Sequence, residues 1–188
     1  MLNLISGILL IGLINTFLFY NQTQKIIFRT SNGSLTILSE APLETIKASS
    51  SELKGIIDTL KNSFAFSVAI NSIKGFNSPL QQEHFYENYL ESNMYPIATF
   101  SGKIIENINY SRPGIYNVRA KGILYVHGVK SERIIRSTVS IQKGEVIINS
   151  GFSINLQEHN IKIPRIVYQK IAPDILVNIS VKLRPVQI

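Results

Sequence analysis

Alternation of apolar and polar residues with a period of two most constrains what this chain of 188 residues can fold into. Between residues 116 and 126, Tyr116, Val118 and Leu124 fall on one side, and Arg119 and Lys121 fall on the other. Successive side chains of a β-strand point to opposite faces, so the pattern predicts a strand with one buried face. The same period occurs in the segments 63–70, 99–110, 133–142, 145–156 and 174–183. About eight antiparallel strands of this kind predict an all-β fold, either a sandwich or a closed barrel.

The region before residue 63 contains turn signals that predict several shorter strands. Asn32 and Gly33 tolerate positive φ, so they predict a tight hairpin between a strand over 25–30 and a strand over 35–37. Two further short strands are predicted over 42–48 and 55–58.

A helix is predicted over 81–93, between two of the strands. The residues at spacings of three and four are Leu80, His84, Glu87 and Leu90. This spacing predicts that their side of the helix rests on the core. Phe85 and Tyr89 add an aromatic pair, and Pro96 returns the chain to extended geometry. A single aromatic-rich helix between β segments predicts a lid on a barrel, and a second, short helix is predicted over 164–172.

Three parts of the sequence carry a resemblance to a known family. They are EHFYENYLES from Glu83, YPIATFSGKI from Tyr95 and KGILYVHGV from Lys121. These parts resemble the YceI-like family, especially its variant in Bacteroidota-type bacteria, and the similarity covers most of 25–183. The resemblance implies an extended, antiparallel lipocalin-like β-barrel, exported to the periplasm, that holds a polyisoprenoid or similar lipid. It therefore favours the barrel over the sandwich.

The first 24 residues predict export from the cytoplasm. They contain no Lys, Arg, Asp or Glu, and residues 8–19 form an almost unbroken apolar run. That length suits a secretory signal and is short for a membrane span, which needs about 20 apolar residues. No basic residue precedes the run, and no A-x-A cleavage site follows it. Residues 1–23 are predicted to be a signal peptide or an N-terminal membrane anchor facing the periplasm, ahead of a barrel domain over 24–188.

The net charge of +7 lies entirely after the leader, and its distribution predicts no nucleic acid partner. The basic residues are scattered over polar strand positions and turns. Residues 121–128 resemble half of an RNA-binding octamer, but the aromatic residues that stack bases are missing. Solvation of the barrel exterior is the first interpretation of the charge, and association with an anionic membrane surface is the second. The oligomeric state stays open, a dimer included.

The sequence contains no clear pattern for catalysis or metal binding, so the protein is predicted not to be an enzyme. Ser153 lacks the second glycine of a nucleophile elbow, and no dinucleotide fingerprint occurs. His84 and Glu87, one helical turn apart, define the remaining enzyme hypothesis, a hydrolase or isomerase of lipid-like substrates. The three histidines, His84, His127 and His159, match no known metal motif, and no metal site is predicted.

The apolar interior is the remaining candidate for a function. We predict that it surrounds a slot for one long isoprenoid, quinone-type or other lipid chain, with no other cofactor. Burying about 500 Å² of such a chain yields about 12 kcal/mol gross, of which association consumes about 4–15 kcal/mol. The predicted lipid-binding residues are Phe64, Phe66, Val68, Phe85, Tyr89, Tyr95, Phe100, Tyr116, Val118 and Phe152. The alternative is a filled barrel that serves as a structural or interaction module of the envelope, because these side chains also suit a packed core.

Overall fold

In the computed structural model, which describes residues 26–186, the chain forms a closed barrel of eight antiparallel strands. The strands are β1 (Ile27–Glu40), β2 (Thr45–Asp58), β3 (Ser63–Ala69), β4 (Ile97–Ile104), β5 (Gly114–Val126), β6 (Val129–Gln142), β7 (Glu145–Asn155) and β8 (Asp174–Pro185). Each strand pairs with the next one along the chain, and β8 closes the sheet by pairing with β1. The all-β prediction is confirmed, and the barrel is confirmed over the sandwich.

The hairpin predicted at Asn32 and Gly33 is wrong. Both residues lie inside β1, where the register against β2 shifts on either side of Gly33. A side chain at Gly33 would overlap Val181 Cγ1 and lie 3.0 Å from the Leu53 carbonyl oxygen, so glycine here permits close approach inside the barrel. The two short strands predicted over 42–48 and 55–58 are likewise wrong as separate elements, because residues 45–58 form one long strand.

The helix predicted over 81–93 begins and ends earlier in the structure. Helix α1 spans Pro79–His84, and a single π-helical turn at Phe85–Tyr89 continues it. The Ser78 hydroxyl oxygen starts the helix by accepting a hydrogen bond from the Gln81 N–H at 3.1 Å. We refer to residues 79–90 as the lid.

The inward side of the lid also differs from the prediction. Of the four residues predicted to face the core, only Leu90 is buried, and Leu80, His84 and Glu87 are exposed. Phe85 and Tyr89 turn toward the barrel instead. The physical reason is that this aromatic pair has more apolar area to bury than Leu80, whose neighbours on the same stripe are ionisable.

The other helical segments are short. The helix predicted over 164–172 is wrong beyond one 3₁₀ turn at Arg165–Val167, which no side chain caps. Two more 3₁₀ turns lie at Ile70–Ser72 and Gln157–His159. Within residues 26–186, no helix is long and apolar enough to cross a bilayer. The leader predicted over 1–23 lies outside the described residues.

The interior of the barrel is filled at one end and hollow at the other. At the far end, which carries the β2–β3, β4–β5 and β6–β7 turns, the side chains of Ile57, Val146 and Leu183 are 0% exposed. The lid end carries the β1–β2 and β5–β6 turns, the lid and the 156–173 connection between β7 and β8. Among residues 26–186, the larger space for a functional cavity therefore lies at the lid end.

Candidate ligand-binding cavity

A cavity of about 200 Å³ lies in the hollow half of the barrel, beneath the lid. For comparison, an engineered apolar cavity of about 150 Å³ stays dry and binds benzene. Ile175, Val177 and Ile179 enter it from alternate positions of β8, and Phe85 and Tyr89 enter it from the lid. The alternation that buries one face of each strand therefore also builds the wall of the cavity.

The wall is almost entirely apolar. Among the described residues that line the cavity, the side chains are aliphatic or aromatic except at Ser39, Ser67, Gln81 and Thr99, and none is charged. The Ser39 hydroxyl already accepts a hydrogen bond from the Ala172 N–H at 2.9 Å. Such a wall offers dispersion contacts and exclusion of water, and it suits an apolar ligand.

The structure brings together six of the ten residues that were predicted to bind lipid. Those that line the cavity are Phe66, Val68, Phe85, Tyr89, Phe100 and Phe152. Phe64 and Val118 line a smaller space of about 40 Å³ deeper in the barrel. Phe66, Phe100 and Phe152 line both spaces and form the floor between them. The Phe64 and Phe100 rings pack with centroids 4.9 Å apart, which closes this floor from below.

Tyr95 and Tyr116 line neither space. Tyr95 precedes β4, and its ring packs edge-on against His127 with centroids 4.9 Å apart. Tyr116 lies on the inner face of β5, as the period-two pattern predicts. It lies near the far end of the barrel, where its hydroxyl is 3.3 Å from the Asn109 carbonyl oxygen. The period-two pattern shows which face of a strand a residue lies on, but not how far along the barrel it lies. It therefore could not distinguish Tyr116 from the cavity residues.

Much of the wall comes from residues that the prediction did not include. They are, among others, Leu35, Ile37, Leu53, Leu124, Val126, Ile154, Ile161, Ile171, Ile175, Val177 and Ile179. The strand residues carry a usable signal, because they alternate with polar neighbours. Ile161 and Ile171 belong to the irregular connection between β7 and β8, where no period marks an inward side.

The N-terminal end of the lid is held to the β1–β2 turn by Glu44. Its Oε1 accepts hydrogen bonds from Asn77 Nδ2 at 3.0 Å and from Gln81 Nε2 at 3.1 Å. These bonds, the one from Asn77 most, lower the pKa of the Glu44 carboxyl group. Further along the lid, the Tyr86 hydroxyl donates to the Ile73 carbonyl oxygen at 2.7 Å, and burial raises the pKa of Tyr86.

The C-terminal end of the lid is held to the β5–β6 turn by Glu91 and His127. His127 Nε2 lies 2.6 Å from Glu91 Oε2, and His127 Nδ1 lies 2.9 Å from the His159 carbonyl oxygen. These two contacts connect the end of the lid with the β5–β6 turn and with the 156–173 connection.

His159, whose carbonyl oxygen contacts His127, is itself held by its buried side chain. Its Nδ1 lies 3.3 Å from the Val126 carbonyl oxygen, which can only accept, while its Nε2 has no hydrogen-bond partner within residues 26–186. Desolvation lowers the pKa of His159, which favours the neutral ring.

We expect Glu91→Gln to loosen the lid without unfolding the barrel. The variant replaces a hydrogen bond to a charged group by a neutral one, which costs about 1 kcal/mol at this half-exposed site. Amide hydrogen exchange of residues 85–90 should then be about fivefold faster. Glu87→Gln removes a carboxylate from the exposed side of the same lid and should leave exchange unchanged. Equal rates in the two variants would show that the pair with His127 does not hold the lid.

The hypothesis of catalysis by His84 and Glu87 places the reaction outside the cavity. Both residues are exposed, and neither lines the cavity. In the part of the chain that the structure describes, no group of three or more His, Cys, Asp or Glu side chains is arranged to hold a metal ion.

The fold and the cavity together define a class of protein, the lipocalin-like antiparallel barrel with an apolar ligand cavity in its interior. Within that class, the chain belongs to the YceI-like domain family, whose model matches residues 17–183. This match confirms the resemblance found in the sequence.

Solved structures from three bacteria are similar in fold. A polyisoprenoid binding domain from Saccharophagus degradans, implicated in plant cell wall breakdown, has a TM-score of 0.68 at 12% identity, over 86% of this chain and 99% of that one. BcnA of Burkholderia cenocepacia has a TM-score of 0.64 at 14% identity, over 80% and 95%. The YceI protein of Campylobacter jejuni has a TM-score of 0.52 at 16% identity, over 70% and 78%. A comparison with curated protein sequences gave no match.

Proposed function

We propose that this protein binds a long apolar chain, of the isoprenoid or quinone type, whose end inserts into the cavity at the lid end of its barrel. The observation that carries the proposal is a wall without charged side chains around a space of about 200 Å³. Such a wall favours a hydrocarbon by about 25 cal/mol for each Å² that it buries. The similarity in fold to a polyisoprenoid binding domain supports the same ligand class.

The cavity geometry favours one orientation of the ligand. Phe66, Phe100 and Phe152 form an apolar floor that closes the cavity toward the filled half of the barrel, so a ligand enters from the lid end. A chain therefore inserts its apolar tail toward the floor and leaves its polar head at the lid end. The alternative of a filled barrel acting as an envelope module fits only the far half of the interior.

The role proposed is that of a non-catalytic carrier in the periplasm. It is supported by the apolar leader at residues 1–23, which acts as a cleaved signal or as a membrane anchor. The near absence of polar groups from the cavity wall also supports binding without chemistry, because general acid–base catalysis needs a proton-transferring group within hydrogen-bond reach.

Extraction of the purified protein with organic solvent, followed by mass spectrometry, tests the proposal. We expect one dominant prenyl or acyl species in a fixed ratio to protein, because an apolar cavity of this size selects by shape and admits one chain. A protein of similar charge purified from the same cells serves as the control for adventitious lipid. An extract no richer than that control would contradict the proposed function.

A further inference from the structure

We infer that the lid end docks onto an anionic phospholipid bilayer through the 156–173 connection. This inference rests on the proposed function, since it names the surface from which the apolar ligand is taken up or to which it is delivered. It is carried by exposed apolar side chains, by three basic residues, and by the position of both beside the cavity.

The connection presents large apolar side chains to solvent. Ile166 is 91% exposed, and Tyr168 is 64% exposed. Leu43 of the β1–β2 turn is also exposed, and its N–H donates to the Gln169 carbonyl oxygen at 2.9 Å, which places it beside them. Aliphatic side chains gain free energy by inserting below the headgroups, and tyrosine is enriched at that level of a membrane.

Apart from Glu158, which pairs with Arg133 of β6 at 2.8 Å, the charged residues of the connection are all basic. The connection contains Lys162, Arg165 and Lys170, and no Asp or Glu occurs from residue 159 to residue 173. None of the three takes part in an ion pair among the described residues. Lys170 does interact electrostatically with Glu44 of the β1–β2 turn. Cations that flank exposed apolar side chains complement the negative surface of an anionic bilayer.

The connection also forms part of the cavity wall. Ile161 and Ile171, at its two ends, line the cavity, while Ile166 between them points to solvent. Docking through Ile166 therefore brings the cavity to the level of the headgroups. An apolar chain can then pass between bilayer and barrel with little exposure to water.

Co-sedimentation with vesicles of phosphatidylcholine, with or without phosphatidylglycerol, tests the inference. We expect the wild-type protein to bind the vesicles that contain phosphatidylglycerol and to bind less as the salt concentration rises. The triple variant Lys162→Gln, Arg165→Gln, Lys170→Gln should bind about 100-fold less, at about fivefold for each cation. Ile166→Ser with Tyr168→Ser should also bind less, because it removes the inserted side chains.

Two matched controls separate this surface from a general effect of charge or hydrophobicity. Lys61→Gln, Arg112→Gln, Lys143→Gln removes the same charge from exposed positions at the far end. Leu60→Ser with Ile115→Ser removes exposed apolar side chains from the far end. Both controls should bind vesicles as the wild type does. Equal losses in the lid-end and far-end variants, or no binding by the wild type, would overturn the inference.

The two proposals fail in different ways. Lipid extracted from the wild-type protein, together with no vesicle binding, would leave the proposed function standing and refute the docking surface. Vesicle binding through the 156–173 connection by a protein that yields no lipid would refute the proposed function.

Discussion

Gly102→Ala is expected to lower the free energy of unfolding by roughly 3 kcal/mol, the high end for a side chain forced into a packed site. Gly102 of β4 pairs directly with Gly122 of β5. A Cβ at Gly102 would overlap the Lys121 carbonyl oxygen and lie 2.5 Å from Gly122 Cα. These are backbone atoms, so no side chain can rotate away, and β4 and β5 would have to separate at this pair.

Thermal unfolding gives the measurement. For a domain of this size, roughly 3 kcal/mol corresponds to a fall in Tm of about 6–12 °C. Gly114→Ala is the matched control, because a Cβ there meets no atom closer than 3.5 Å. It should change the stability by less than about 0.5 kcal/mol. If the two variants unfold at the same temperature, the close approach of β4 and β5 at this glycine pair does not stabilise the barrel.

The alternation of apolar and polar residues with a period of two made the fold predictable from the sequence. In 116–126 and 174–183, the apolar residues of the period-two pattern are those that face the interior. This alternation follows from local backbone geometry, so it can be recognised without knowledge of the tertiary fold. The order of strands around the barrel then follows the chain, because consecutive strands pair as antiparallel neighbours.

The position of the large cavity along the barrel could not be predicted in the same way. Val118 and Leu124 share the inner face of β5, yet only Leu124 lines the large cavity. Which half of a barrel fills depends on side chains from several strands meeting at one level, and the stagger between strands sets that level. Asn32 and Gly33 failed as a turn signal for a related reason, since the need for a glycine came from Val181, which is distant in sequence.

Ala98→Phe is expected to remove most of the bound lipid. Ala98 lines the cavity from β4, opposite Val68 of β3, so a phenyl ring there occupies space that a ligand would use. If the ring displaces about 100 Å² of ligand contact at about 25 cal/mol/Å², binding weakens by about 2.5 kcal/mol, well over tenfold in affinity. Extraction and mass spectrometry of the purified variant measure the loss.

Ala65→Phe makes the same substitution on the exposed face of the neighbouring strand β3. It should keep the lipid of the wild type, because its ring projects away from the cavity. Thermal unfolding separates loss of ligand from loss of fold: Ala98→Phe should unfold cooperatively, since its ring enters empty apolar space. Lipid retained in full by a folded Ala98→Phe would mean that the ligand binds elsewhere on the protein. Lipid lost equally from both variants would mean that its association does not depend on the interior of the barrel.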